Sequence, residues 1–205
     1  MYSFLPSLIL GFHGCDRDVA ETVLAGKEPL TPSQNDYDWL GHGIYCWEQN
    51  PRRALQYAKL IKNHPERGRT RINKPYVLGV VVQPGYCLNL LEASSLELLK
   101  GSYRLLKETA TGSGIGMPRN IPIGKEKDLL IRKLDCAVIE ALHQYNIEKN
   151  ISGFDTVRGV FLEGRDLYPN AGFKRKNHIQ ICVRNPNCIK GYFRVRDFDA
   201  KHTRP

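Results

Sequence analysis

The chain has 205 residues, enough for one well-buried core and too few for two. With 41% apolar and 25% charged residues it reads as an ordinary globular domain, and no run of about 18 apolar residues is present to cross a membrane. The formal charge of +9 and a pI near 9.3 point to RNA, DNA or an acidic protein as partner. They point about as strongly to a solvated basic surface on a protein that binds a dianionic small molecule.

Residues 2–12 are apolar but short, with neither a basic start nor a small-residue cleavage site. Residues 7–12 are therefore expected to form a buried first strand, not part of a signal peptide. The strand ends in His13-Gly14. Asp16 or Asp18 then caps a helix over 19–24, closed by Gly26. Residues 29–38 read as loop. The stretch 37–58 is the densest in the chain, with a Gly-x-Gly turn (Gly41, Gly43), a short strand over 44–47 and a helix opening at Asn50-Pro51. Both tryptophans, Trp39 and Trp47, lie in it. Ala54, Leu55, Ala58 and Ile61 give that helix its apolar face.

A basic connection over 64–74 leads to a strand over 76–82, stopped by Pro84-Gly85. A helix over 92–107, interrupted at Gly101, precedes a Gly-rich loop over 109–123. That loop lacks a G-K-[ST] ending and is not a phosphate-binding fingerprint. The strongest helical pattern spans 126–148. Strands follow over 154–162, 179–183 and 189–195, with an exposed basic loop over 163–177 between the first two. Strands at both ends with helices between them predict one α+β domain over 1–205, since the first and last strands share a core.

The six cysteines (15, 46, 87, 136, 182 and 188) include no C-x-x-C, and several lie in apolar runs. Buried free thiols in a reducing cytoplasm explain them better than a disulfide framework or a metal site, so no metal is expected. Cys15 or Cys46 paired with a histidine is an open alternative without a local signature.

Taken singly, His13-Gly14 is most often a strand end and a turn, and Tyr45 most often a core aromatic. In order they say more. A strand ending F-H-G, a helix, L-G-H-G-I-Y and a helix containing A-x-x-Y-A resembles the ADP-ribosyltransferase superfamily. The likeness is to the branch related to diphtheria toxin and the poly(ADP-ribose) polymerases, whose motif is written His-Tyr-Glu. It runs from Leu10 to Ala58 and continues only as an order of strands and helices. It implies two small, packed antiparallel or mixed sheets flanked by helices, with NAD⁺ as co-substrate.

The resemblance assigns His13 to the adenosine-side ribose and the Gly14 backbone to the nicotinamide carboxamide. It assigns Tyr45 to the wall of the nicotinamide pocket and Tyr57, with a one-residue shift, to its other face. At the third motif position the chain departs, because the late strand carries no Glu. Gln180 is the expected replacement, alternating with Ile179 and Ile181, with His178 two residues earlier on the same face. Glu163 is the reserve carboxylate.

Loss of that Glu accompanies transfer of a single ADP-ribose in such enzymes, so mono-ADP-ribosylation is expected, by a toxin or defence effector in the cytoplasm. RNA, DNA or protein is the acceptor, and an antitoxin is an implied partner. Arg165, Tyr168, Phe173, Lys174, Arg175 and Lys176 interleave basic and aromatic side chains in the 163–177 loop. They suit a single-stranded nucleic acid or another phosphate-rich acceptor, and at least as well a solvated loop whose basic residues attract the NAD⁺ pyrophosphate. A non-catalytic binding module and an NAD⁺ glycohydrolase are the alternatives.

Overall fold

The computed structural model describes residues 8–68, 70–122, 128–197 and 201–202. Strand β1 (Ile9–Asp16) pairs along its whole length with β3 (Pro75–Val82), from Ile9↔Val82 to Asp16↔Pro75. Between them come helix α1 (Arg17–Leu24), strand β2 (Ile44–Glu48) and helix α2 (Pro51–Asn63). The Asp16 carboxylate caps α1 through the Asp18 N–H and also accepts from the Asn73 and Lys74 N–H groups at 2.6 and 2.9 Å. It thereby ties the start of β3 to the end of β1. Asn50 caps α2, accepting from the Arg53 N–H at 3.0 Å, with Pro51 in the first turn as the sequence predicts.

The second half contains β4 (Cys87–Asn89), α3 (Ala93–Gly112), β5 (Asn120–Ile121), β6 (Ile131–Arg132), α4 (Lys133–Glu148), β7 (Thr156–Phe161), β8 (His178–Val183) and β9 (Ile189–Arg194). Three expectations change here. Helix α3 runs through Gly101 and on to Gly112, because Gly101 lies on an exposed face and its penalty of about 1 kcal/mol does not break the helix. Helix α4 begins at Lys133, with β6 before it; Glu126 and Lys127 lie outside the described residues. The cap comes from afar, since Asn120 Oδ1 accepts from the Leu134 and Asp135 N–H groups.

The third change is in the sheet. Seven strands form one mixed sheet in the order β4-β7-β8-β2-β1-β3-β9, and β5-β6 form a separate ribbon. Two small packed sheets are not what is found. The large sheet nevertheless falls into two halves, because β1 and β2 are joined at only two register positions, Gly11↔Glu48 and Phe12↔Trp47. One face buries Ile9, Cys15, Ile44, Cys46, Leu78, Val80, Ile181 and Val183 with Ala20 and Val23 of α1. On the opposite face, Phe12 and Trp47 pack with Ala54 of α2, and Leu40, Val157 and Cys182 pack with Ile139 and Leu142 of α4.

Candidate functional site

The site predicted from sequence lies at the β1–β2 seam. Gln49 N–H donates to the Leu10 carbonyl, so the Leu10 peptide faces β2. In an antiparallel ladder the peptide groups of alternate residues face the same edge, so those of Phe12 and Gly14 face β2 as well. The ladder extends only to Phe12↔Trp47. Opposite Gly14, the Tyr45 carbonyl is engaged instead by His13 Nδ1 at 2.8 Å. A carbonyl only accepts, so Nδ1 carries the proton and His13 Nε2 holds a lone pair. Burial holds the His13 pKa below its usual value, against the opposing pull of that hydrogen bond, so the ring is neutral at pH 7.

Gly14 has a packing reason of its own. A Cβ there would collide with the Ala54 carbonyl, so the glycine lets α2 lie directly on β1. Tyr45 is anchored at its far end, where its hydroxyl donates to the Gly41 carbonyl at 2.8 Å and accepts from the Leu40 N–H at 2.9 Å. Burial pushes its phenol far above the ordinary range. The ring facing Tyr57 is therefore not that of Tyr45. It is Trp47, with centroids 5.1 Å apart. Burial raises the Tyr57 pKa to about 12, so its hydroxyl keeps its proton.

Gln180 lies opposite Trp47 in the β2–β8 register and is buried. Its Oε1 accepts from Trp39 Nε1 at 2.6 Å. Trp39 also meets Phe161 edge-on, and Arg132 lies over both rings. Glu163 is engaged too: one oxygen accepts from Arg53 Nη2 at 2.7 Å, the other from Lys176 Nζ at 3.0 Å. Both carbonyl-bearing candidates for the third motif position are thus held by protein partners.

The structure adds three residues that the motif reading left aside. Arg53 joins α2 to Glu163, and its buried Nε has no hydrogen-bond partner. Trp47 Nε1 is likewise buried and unpartnered. His178 stacks on Phe161 with centroids 5.3 Å apart, sits 6.2 Å from the Trp47 ring and holds the Lys176 carbonyl at 2.7 Å. It also lines an open hollow of about 390 Å³ with Glu48, Gln49, Val160, Asn177 and Ile179. The alternation along β8 was the only sequence signal for His178. Arg53 had none, because its partner lies far along the chain.

The basic connection between β7 and β8 folds back on itself as a hairpin. Lys176, Arg175 and Leu167 donate backbone N–H groups to Glu163, Arg165 and Phe173, each at 3.0 Å. Leu167, Tyr168 and Phe173 are exposed, as are Arg165 and Arg175, whereas Lys174 is paired with Asp166. The hairpin thus presents two aromatic rings and two exposed guanidinium groups just beyond Glu163.

All six cysteines are unpaired and buried. Burial raises Cys15 and Cys46 to about 12, which removes the thiolate that a Cys–His nucleophile requires. Among the described residues no helix is long and apolar enough to cross a membrane.

No family model matches the chain, and no solved structure matches it. A protein of Methanocaldococcus jannaschii described as uncharacterised, MJ0359, is 28% identical over 204 residues, covering 87% of this chain and 83% of its own.

Proposed function

We propose that this chain is an NAD⁺-dependent mono-ADP-ribosyltransferase acting on RNA, DNA or protein. The observation that carries the reading is the opening of the β1–β2 ladder at Gly14 and Tyr45, with the His13 imidazole bridging the gap. The Gly14 peptide edge offers one donor and one acceptor, the complement of a carboxamide. His13 Nε2 offers a lone pair to a ribose hydroxyl. The Trp47 and Tyr57 rings, tilted 42° to each other, provide an apolar wall for nicotinamide, and aromatic contact of this kind contributes about 1 kcal/mol.

Cleavage of the nicotinamide–ribose bond builds positive charge at the anomeric carbon. A rigid hold on the nicotinamide through Gly14 and on the adenosine-side ribose through His13 lowers the barrier by orientation. With no free carboxylate at the third position, a single transfer is the expected outcome. Unpaired thiols suit work in the cytoplasm, where such an enzyme would act as a toxin or defence effector restrained by an antitoxin.

One observation favours a second reading, a non-catalytic NAD⁺ or ADP-ribose binding module: Gln180 and Glu163 are both engaged by protein side chains. Incubation with adenylate-labelled NAD⁺ and cellular RNA, DNA and protein decides between them. Label on a macromolecule supports transfer, free ADP-ribose means hydrolysis, and unchanged NAD⁺ overturns both enzymatic forms.

A further inference from the structure

The proposed reaction needs a group that can receive a proton from the acceptor, and neither Gln180 nor Glu163 is placed for it. Gln180 has no basic atom, and its carbonyl oxygen is bonded to Trp39. Glu163 lies in a double ion pair with Arg53 and Lys176. His178 differs from both. Its Nδ1 is 2.7 Å from the Lys176 carbonyl, which only accepts, so Nδ1 bears the hydrogen and Nε2 the free lone pair of the neutral ring. Stacking on Phe161 and the neighbouring Trp47 ring fix the plane of the imidazole. Nε1 of that Trp47 ring is itself a buried donor without an acceptor. His178 is buried and borders the open hollow at the edge of the aromatic wall.

We propose that His178 is the catalytic base of the transfer and that the acceptor is therefore a proton-bearing nucleophile, a hydroxyl or an N–H. The proposal rests on the ADP-ribosyltransferase reading. The acceptor heteroatom bonds to C1′ of the nicotinamide ribose as the C1′–N bond breaks. The bonding pair leaves with nicotinamide, which departs neutral, and the acceptor proton moves to His178 Nε2. A carboxylate acceptor needs no such base.

The groups around the ring set its working range. Burial lowers its pKa most, the hydrogen bond to the Lys176 carbonyl opposes this, Arg53 from α2 and Lys176 from its own connection lower it, and Glu163 raises it. Trp47 and Phe161 are uncharged, and Glu48 on the hollow is paired with Arg158. The net shift is downward, so the base is ready throughout neutral pH.

The test compares wild type with His178→Gln, using adenylate-labelled NAD⁺ with total cellular RNA and total cellular protein. The variant should lose about 100-fold or more in transfer while its NAD⁺ affinity by calorimetry stays within a factor of a few. The wild-type rate should rise with pH along a limb below the ordinary imidazole range, and the variant should lack that limb. Nitrogen-15 NMR of the wild-type ring should show Nδ1–H at pH 7. Undiminished transfer, an unchanged pH profile, loss of NAD⁺ affinity in the variant, or an Nε2–H tautomer each overturns the role of His178. Label released by neutral hydroxylamine, as from carboxylate esters, overturns the acceptor class. A wild type that neither binds nor cleaves NAD⁺ overturns the functional reading itself, whereas the NMR result stands independently of it.

Discussion

The indole N–H of Trp39 donates to Oε1 of Gln180 at 2.6 Å, joining the loop before β2 to the middle of β8. Both side chains line the sheet face on which the proposed pocket opens. The bond makes Gln180 a structural acceptor. Gln180→Leu, which leaves the Trp39 donor unsatisfied, should therefore lower stability by about 1–3 kcal/mol in urea unfolding. Trp39→Phe combined with Gln180→Leu should lose less than the sum of the two single changes. Strict additivity would show that the bond contributes nothing.

Gly14 serves two ends. Its missing Cβ admits the Ala54 carbonyl of α2, and its peptide edge faces the gap beside Tyr45. Gly14→Ala should displace α2 and reduce stability by about 3 kcal/mol, at the upper end for an overpacked site. NAD⁺ affinity should fall with it. A variant with wild-type melting behaviour would mean that α2 does not rest on β1 at this point.

Arg53 and Glu163 form an ion pair with side chains only 11% and 14% exposed, deep enough that loss of one partner strands the other. Glu163→Ala should cost about 3 kcal/mol, and Arg53→Met with Glu163→Leu together should recover much of that loss. If Glu163→Ala leaves the unfolding midpoint unchanged but abolishes NAD⁺ turnover, Glu163 is a reacting group and His178 is not the base.

His143 predicts the acid limit of stability. Burial, with a smaller contribution from Arg184, lowers its pKa from 6.5 to about 4, while Glu140 opposes the shift. The folded value lies below the unfolded one, so the unfolded chain binds the extra proton between these two values. The contribution is complete above pH 6.5 and is lost as pH falls to about 4, a change of order 3 kcal/mol. His143→Leu also removes a buried, unpartnered Nε2. The variant should be as stable as wild type at pH 7 and should lose less between pH 6.5 and 4. An identical acid slope in both proteins would sink this assignment.

Local chemistry was readable along the chain wherever a signal and its structural consequence lie close together. Asn50-Pro51 marks the start of α2 because the cap and the capped N–H are three residues apart. The start of α4 is not marked locally because its cap, Asn120, lies 14 residues before the N–H it accepts from, inside the loop over 109–123. The same distinction separates the site residues. His13, Gly14 and Tyr45 stand out through their order, but whether Gln180 and Glu163 are available depends on Trp39 and Arg53, partners no spacing rule could supply. Nor could alternation foretell one sheet in place of two, since that turns on two register positions between β1 and β2.

The six buried thiols furnish a clock. Cys46 lies against Gly11 where β1 meets β2, while Cys188 is buried in the same core just before the edge strand β9. An alkylating reagent reaches each only when the backbone around it breathes, so the labelling rate at each position counts local openings. Comparison of the two rates resolves whether the seam and the outer strands part together or in turn.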